Sequence, residues 1–194
     1  MIVVAIIGIL AAIAIPNFIQ YQMRSRTSEA KTNLSAIKTA ELAFQAENRC
    51  FLSTQAAGVA PAAIPNNGAL VAWPAAAAAA TPTLTGFCFT PLGVATTAVG
   101  SFGDIGFVPA GAVRYQYRME GIAVVAVPPV HGPTKGACVA AAAGPGNAPT
   151  TGFIAYAEGD LDGNGGAAGN ANNGWFQVSD VSNMTNCWTN DTIF

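Results

Sequence analysis

Charge is what this sequence has least of. Asp, Glu, Lys and Arg make up only 9% of its 194 residues, against ~25% in an ordinary soluble domain. Eight basic and ten acidic residues leave a formal net charge of −2. That is too little positive charge for the phosphate contacts of a general nucleic-acid binder, so no specific nucleic acid is expected as a partner. Histidine occurs once, at His131, in a Pro/Gly loop, and there is no Cys-x-x-Cys pair. A transition-metal site has almost no ligands to draw on. No Gly-rich turn joins a strand to a helix, so there is no phosphate cradle. No Ser or Cys has His and Asp companions in a catalytic motif. The chain is not expected to be an enzyme.

What charge there is sits unevenly. Residues 1–23 carry none, and residues 24–49 carry five cations and three anions. Residues 50–194 carry three cations and seven anions. A greasy head is followed by a charged neck and a sparsely charged body. The 21 Gly and 12 Pro, with much Ala, Thr and Asn, favour loops and strands over a helical bundle. The length suits one domain.

The head, MIVVAIIGILAAIAIPNFIQY, is apolar to Phe18 except at Gly8, Pro16 and Asn17. About 20 residues of helix span the ~30 Å hydrocarbon core of a bilayer. A cleaved signal peptide is the competing reading. A basic n-region is missing, however, and the apolar run is long. Helical periodicity also continues past it: Met23, Ala30, Leu34, Ile37, Ala40 and Phe44 form one stripe,. Lys31, Ser35 and Lys38 lie away from the stripe. Arg26 with Glu29, and Lys38 with Glu41, are spaced to pair along the helix,. One helix is expected from Met1 to about Glu47, roughly 70 Å long. Its first half should be buried on all sides by lipid or by other copies, its second on one face by a body. Gly8 weakens the first half. Pro16 removes the bond to the Ala12 carbonyl. The stretch between them is where the helix can bend or melt.

The segment MIVVAIIGILAAIAIPNFIQYQMRSRTSEAKTNLSAIKTAELAFQ resembles the N-terminal helix of type IV pilins, above all the long major pilins of delta-proteobacteria. The resemblance is continuous over residues 1 to about 49; beyond, only the order of elements matches. It implies a few further residues ahead of Met1. Among them are a methylated Phe and a Glu that pairs with a neighbouring subunit's amino terminus during assembly. Met1 is therefore expected to start the sequence in hand rather than the mature chain. The implied fold is the α+β pilin fold, one long N-terminal α-helix packed on a four-stranded antiparallel sheet with long loops. Residues 1–23 would be the membrane and filament-core half; residues 24–194 would form the globular head. The implied function is a structural subunit of a type IV pilus, serving adhesion and surface motility. Its partners would be identical subunits, the inner membrane before assembly and the pilus assembly machinery. Its place would be an extracellular pilus on the cell surface, with an inner-membrane pool. Ile2, Val3, Ile6, Gly8, Ile9, Ile13, Pro16 and Phe18 would carry assembly. A type II secretion pseudopilin and a membrane-anchored single-span binding protein are the alternatives.

Residues 53–100 are low in complexity, with several prolines and no charge. They read as a long surface loop. VRYQYRM alternates Val113, Tyr115, Tyr117 and Met119 with Arg114, Gln116 and Arg118, a strand pattern,. Glu120-Gly121 reads as a turn into a second strand, Ile122 to Pro128, closing a hairpin. Phe153 to Glu158 and Trp175 to Val181 read as the third and fourth strands.

The four cysteines, Cys50, Cys88, Cys138 and Cys187, lie in a body that the head would export to an oxidising compartment. Three connectivities are open. The expected one is Cys50–Cys88, pinning the loop to the helix end, with Cys138–Cys187, pinning the tail to the sheet edge. Each would contribute about 3–4 kcal/mol in the entropic account; buried free thiols are the alternative. Asp160, Asp162 and Asn164, with Gly165 after them, reproduce the first half of an EF-hand-type calcium loop,. The second half fails, because Ala171 stands where the closing Glu belongs. Calcium is the one cofactor considered. The competing reading is a polar turn whose Asp and Asn bond their own backbone. Phe18, Tyr21, Phe44 and Phe51 lie along or just after the helix. An electron conduit is conceivable for them, but core packing is the plainer account.

Overall fold

The computed structural model describes residues 2–48, 51, 61, 63–74, 101–122, 152–163, 173–180, 183 and 185–188. The first of these stretches is a single helix, α1 (Ile2–Asn48), with Pro16 inside it. Helical assignment passes Gly8 and Pro16 without interruption. The helix therefore does not melt between them in the single chain.

Four strands follow: β1 (Gln116–Ile122), β2 (Gly152–Gly159), β3 (Gly174–Ser179) and β4 (Thr185–Trp188). They pair in chain order, each antiparallel to the next. β4 is a short edge element, and its pairing with β3 shifts register at Trp175/Phe176. Two expected strands, near Phe153 and Trp175, are present. The expected hairpin is not. β1 continues straight through Glu120-Gly121, which face Ile154 and Phe153 of β2. Glu-Gly lacks the Asn-Gly or Asp-Gly pairing that stabilises a tight hairpin turn. Seven residues of pairing with β2 hold the segment extended. The strand expected at 123–128 lies outside the described residues.

The core lies where α1 crosses the sheet. Ala30, Leu34, Ile37 and Phe44 of the stripe are buried, and Met23 and Ala40 flank them. From the sheet come Tyr117 and Met119 of β1, Phe153, Ala155 and Ala157 of β2, and Phe176 and Val178 of β3. These alternate along each strand, so one sheet face meets the helix. The opposite face is covered too: Gln116, Ile154, Glu158, Trp175 and Gln177 are all buried.

Part of the long loop is also built in. Val71 bridges to Val113 in both directions. Trp73 stacks edge-on against Phe102 (5.3 Å) and Phe107 (5.8 Å). The turn at 101–107 is closed by the Ser101 amide donating to Asp104 Oδ2 (2.6 Å) and the Phe107 amide to the Phe102 carbonyl (2.9 Å). Aromatic burial fixes this side layer where composition had suggested only a wandering surface segment.

Candidate functional site

The most unusual surface of the molecule is the first half of α1. Ile2, Val3, Ile6, Ile9, Ile13 and Phe18 are all more than half exposed, as are Val4, Ile7, Leu10 and Ile15 around them. A Cβ added at Gly8 would meet nothing within 4 Å, so no contact within this chain requires glycine there. Full burial of one such side chain is worth ~1.5–3 kcal/mol. The set as a whole represents on the order of 20 kcal/mol that the chain leaves unused. α1 is long and apolar enough to cross a membrane.

The change from this half to the packed half is abrupt. The Arg24 guanidinium lies over the Tyr21 ring, 6.0 Å from its centroid. One turn on, Thr27 and Ala30 are already buried against the body. The helix is tied to the sheet by polar contacts as well. Glu29 Oε1 accepts from the Arg114 amide (2.7 Å), and Oε2 accepts from the Arg114 guanidinium (3.2 Å). Glu29 thus turns to the segment ahead of β1 and not, as its spacing suggests, to Arg26. A partner that also offers a backbone N–H outcompetes a solvated pair worth a few tenths of a kcal/mol. Asn33 donates to the Tyr117 hydroxyl (2.9 Å). Burial pushes the ionisation of Tyr115 and Tyr117 above the ordinary tyrosine range, so both keep their protons.

The turn after β2 is partly described. Asp160 is fully buried. Its Oδ1 accepts from the Gly163 amide (2.8 Å), so the side chain closes the turn on its own backbone three residues on. Its carbonyl accepts from Gly68 (2.6 Å), bringing the 3-10 turn Asn66–Gly68 alongside. Asn67 (φ 54°), Gly68 (φ 62°) and Gly163 (φ 81°) take left-handed conformations at this corner. A Cβ on Gly163 would come within 3.1–3.4 Å of the Asn67 side chain. Asp160 Oδ2 is buried and has no hydrogen-bond partner among the described residues. Asp162 is half-exposed, and Asn164 lies outside the described residues. Among the described residues no three His, Cys, Asp or Glu side chains converge to hold a metal. The participation of Asn67 could not be foreseen, because it comes from a loop ~90 residues away; its Asn-Asn-Gly sequence signalled a turn but not a neighbour.

Cys50, Cys88 and Cys138 lie outside the described residues, and only the backbone of Cys187, in β4, is described. Neither expected disulfide is therefore placed.

No protein-family profile matches the chain. Single relatives do. The type IV major pilin protein PilA of Myxococcus xanthus is 72% identical over 47 residues, 24% of this chain and 21% of that protein. A fimbrial protein of Pseudomonas aeruginosa is 60% identical over 40 residues, 21% of this chain and 26% of its own length. A fimbrial protein of Moraxella nonliquefaciens is 49% identical over 51 residues, 26% of this chain and 33% of its own length. The chain thus spans a fifth to a third of the relatives it matches, in stretches about as long as the 47-residue α1. With these relatives, the chain's similarity to the type IV pilins is borne out.

Proposed function

We propose that this chain is a structural subunit that polymerises through the first half of α1 into a type IV pilus. The observation that carries this is the exposed apolar half-helix, continuous with a half packed into a folded body. Residues 1–23 act as membrane segment and then filament core; residues 24–194 act as the head. The head has the pilin arrangement of helix, four-stranded sheet and long loops. One apolar surface serves two surroundings in turn: lipid before assembly, neighbouring copies of the same helix afterwards. Both exclude water, so a charge within it would be costly in either. Adhesion and surface motility are the work of the finished filament, and the chain does no catalysis.

An extracellular head favours disulfides, and the pairing proposed is Cys50–Cys88 with Cys138–Cys187. Non-reducing peptide mapping should find these two links; Cys50 joined to Cys187 would rule the pairing out. The filament itself is tested by electron microscopy of material sheared from the cell surface. Long thin fibres whose subunit mass matches this chain are expected. Short stubs confined to the cell envelope would favour a secretion pseudopilin. Monomers extracted only with the membrane would favour a single-span anchored protein.

A further inference from the structure

Gln22, Ser25, Arg26 and Arg114 line a groove of about 230 Å³ at the neck of the molecule. That is several times the ~30 Å³ share of one water in the liquid. Gln22, Ser25 and Arg26 stand at i, i+3 and i+4, one face of α1, and Arg114 reaches in from the segment leading to β1. Arg114 gives one guanidinium nitrogen and its amide to Glu29. Its Nε is buried and has no partner among the described residues. Arg26 makes no ion pair among them. Its guanidinium lies over Gly68, where an added Cβ would sit 3.1 Å from it. Glu29 balances one of the two arginines, and the groove keeps a net positive charge.

The position of the groove identifies its ligand. The uncharged run of α1 continues to Met23, with exposed Ile19 and Tyr21 near its end. Gln22 to Arg26 extend roughly 2–8 Å past Tyr21 along the axis. A bilayer's headgroup layer is about 5–8 Å deep on each side of its hydrocarbon core. With the apolar half in lipid, the groove opens at the depth of the phosphates. Guanidinium groups match the geometry of phosphate oxygens, and an amide and a hydroxyl add neutral donors.

We propose that this groove binds the phosphodiester headgroup of an anionic phospholipid while the chain resides in the membrane. The inference rests on the reading of residues 2–23 as a membrane segment. On assembly the subunit leaves the bilayer and the groove loses its lipid, so headgroup release accompanies the transfer into the filament.

The test is native mass spectrometry of the full chain in micelles carrying equal phosphatidylglycerol and phosphatidylcholine. The wild type should retain phosphatidylglycerol at least fivefold over phosphatidylcholine. Arg26→Gln should lower that preference about fivefold, a change of ~1 kcal/mol, because it removes a guanidinium that lines the groove. Ser25→Glu should abolish it: Ser25 is exposed, so the fold survives while a carboxylate enters the groove. Arg24→Gln, one residue outside the groove lining, should leave most of it. Equal loss in Arg24→Gln would reduce the effect to general neck charge and overturn the site. An unchanged preference in Ser25→Glu would overturn it as well. Inorganic phosphate at 20 mM should leave the lipid in place; its displacement would make free phosphate the ligand and overturn the lipid assignment. Flotation with vesicles separates the two readings. A wild type that fails to float refutes the membrane segment, whereas floating protein without lipid preference refutes only the groove.

Discussion

Two tyrosines, two and four residues past Val113 of the bridge to Val71, show how residue-level chemistry differs inside one core. Tyr115 and Tyr117 are both fully buried. The Tyr117 hydroxyl has Asn33, whereas that of Tyr115 has no hydrogen-bond partner among the described residues. Removing a paired hydroxyl strands its partner; removing an unpaired one relieves a desolvation cost. Tyr117→Phe should therefore cost about 0.5–1.5 kcal/mol, and Tyr115→Phe should be neutral or slightly stabilising. Denaturant unfolding of the two variants side by side measures this. A loss in Tyr115→Phe as large as in Tyr117→Phe would contradict it. Asp160 poses a similar question, since its buried Oδ2 has no donor among the described residues and such an oxygen is costly to leave unpaired,. If calcium binds this turn, Asp160 and Asp162 supply carboxylate oxygens and Asn164, which lies outside the described residues, its side-chain oxygen. Such a carboxylate-poor site would be weak, toward ~10⁻⁴–10⁻³ M. At ten- to hundredfold excess calcium the folded state would gain on the order of 1–3 kcal/mol. Melting with calcium and with chelator, for wild type and Asp162→Ala, decides. Four identical melting temperatures would leave only the polar turn.

At the scale of elements, α1 is one helix with two solvents. Its second half is fixed by the buried stripe and by Glu29, which clamps the helix to the segment ahead of β1. Glu29→Ala leaves the Arg114 amide and guanidinium without that partner. Because both side chains keep partial solvent access, a loss of about 1–2 kcal/mol is expected rather than the larger cost of a buried pair. Thermal unfolding checks it. Nothing of this kind holds the first half. Pro16 removes one helical hydrogen bond and Gly8 adds flexibility, yet α1 stays continuous in the single chain. Packing among neighbours is what can exploit the weakness. In a filament we expect loss of helical hydrogen bonding between Gly8 and Pro16. A density map with straight, unbroken helix from Ile2 through Phe44 would refute this.

For the whole molecule, the exposed half of α1 and the folded body answer to different rules. The body closes its own core around Leu34, Ile37, Tyr117, Phe153 and Phe176. A chain lacking residues 1–23 should therefore be a soluble monomer, because the stripe that remains is already covered. The full chain should need detergent or a filament. Sedimentation of the truncated body checks this, and stable fibres formed by it would show that assembly does not depend on the apolar helix.

Much of this was legible in one dimension because it depends on local periodicity. The apolar run to Phe18, the stripe from Met23 to Phe44 and the alternation around Tyr115 and Tyr117 each state a buried face by spacing alone,. So does the uncharged head, whose exposure in the folded chain follows from having no partner of its own. Tertiary structure decided what spacing leaves open. β1 joined β2 instead of folding back at Glu120-Gly121, because paired backbone outweighs a weak turn signal. Glu29 left Arg26 for Arg114, because the segment ahead of β1 offered a backbone donor as well as a charge. Trp73, from a loop whose composition showed no period at all, found Phe102 and Phe107 in the turn beyond it. Contacts between residues far apart in sequence are chosen by competition among surfaces, and those surfaces exist only once the chain has folded.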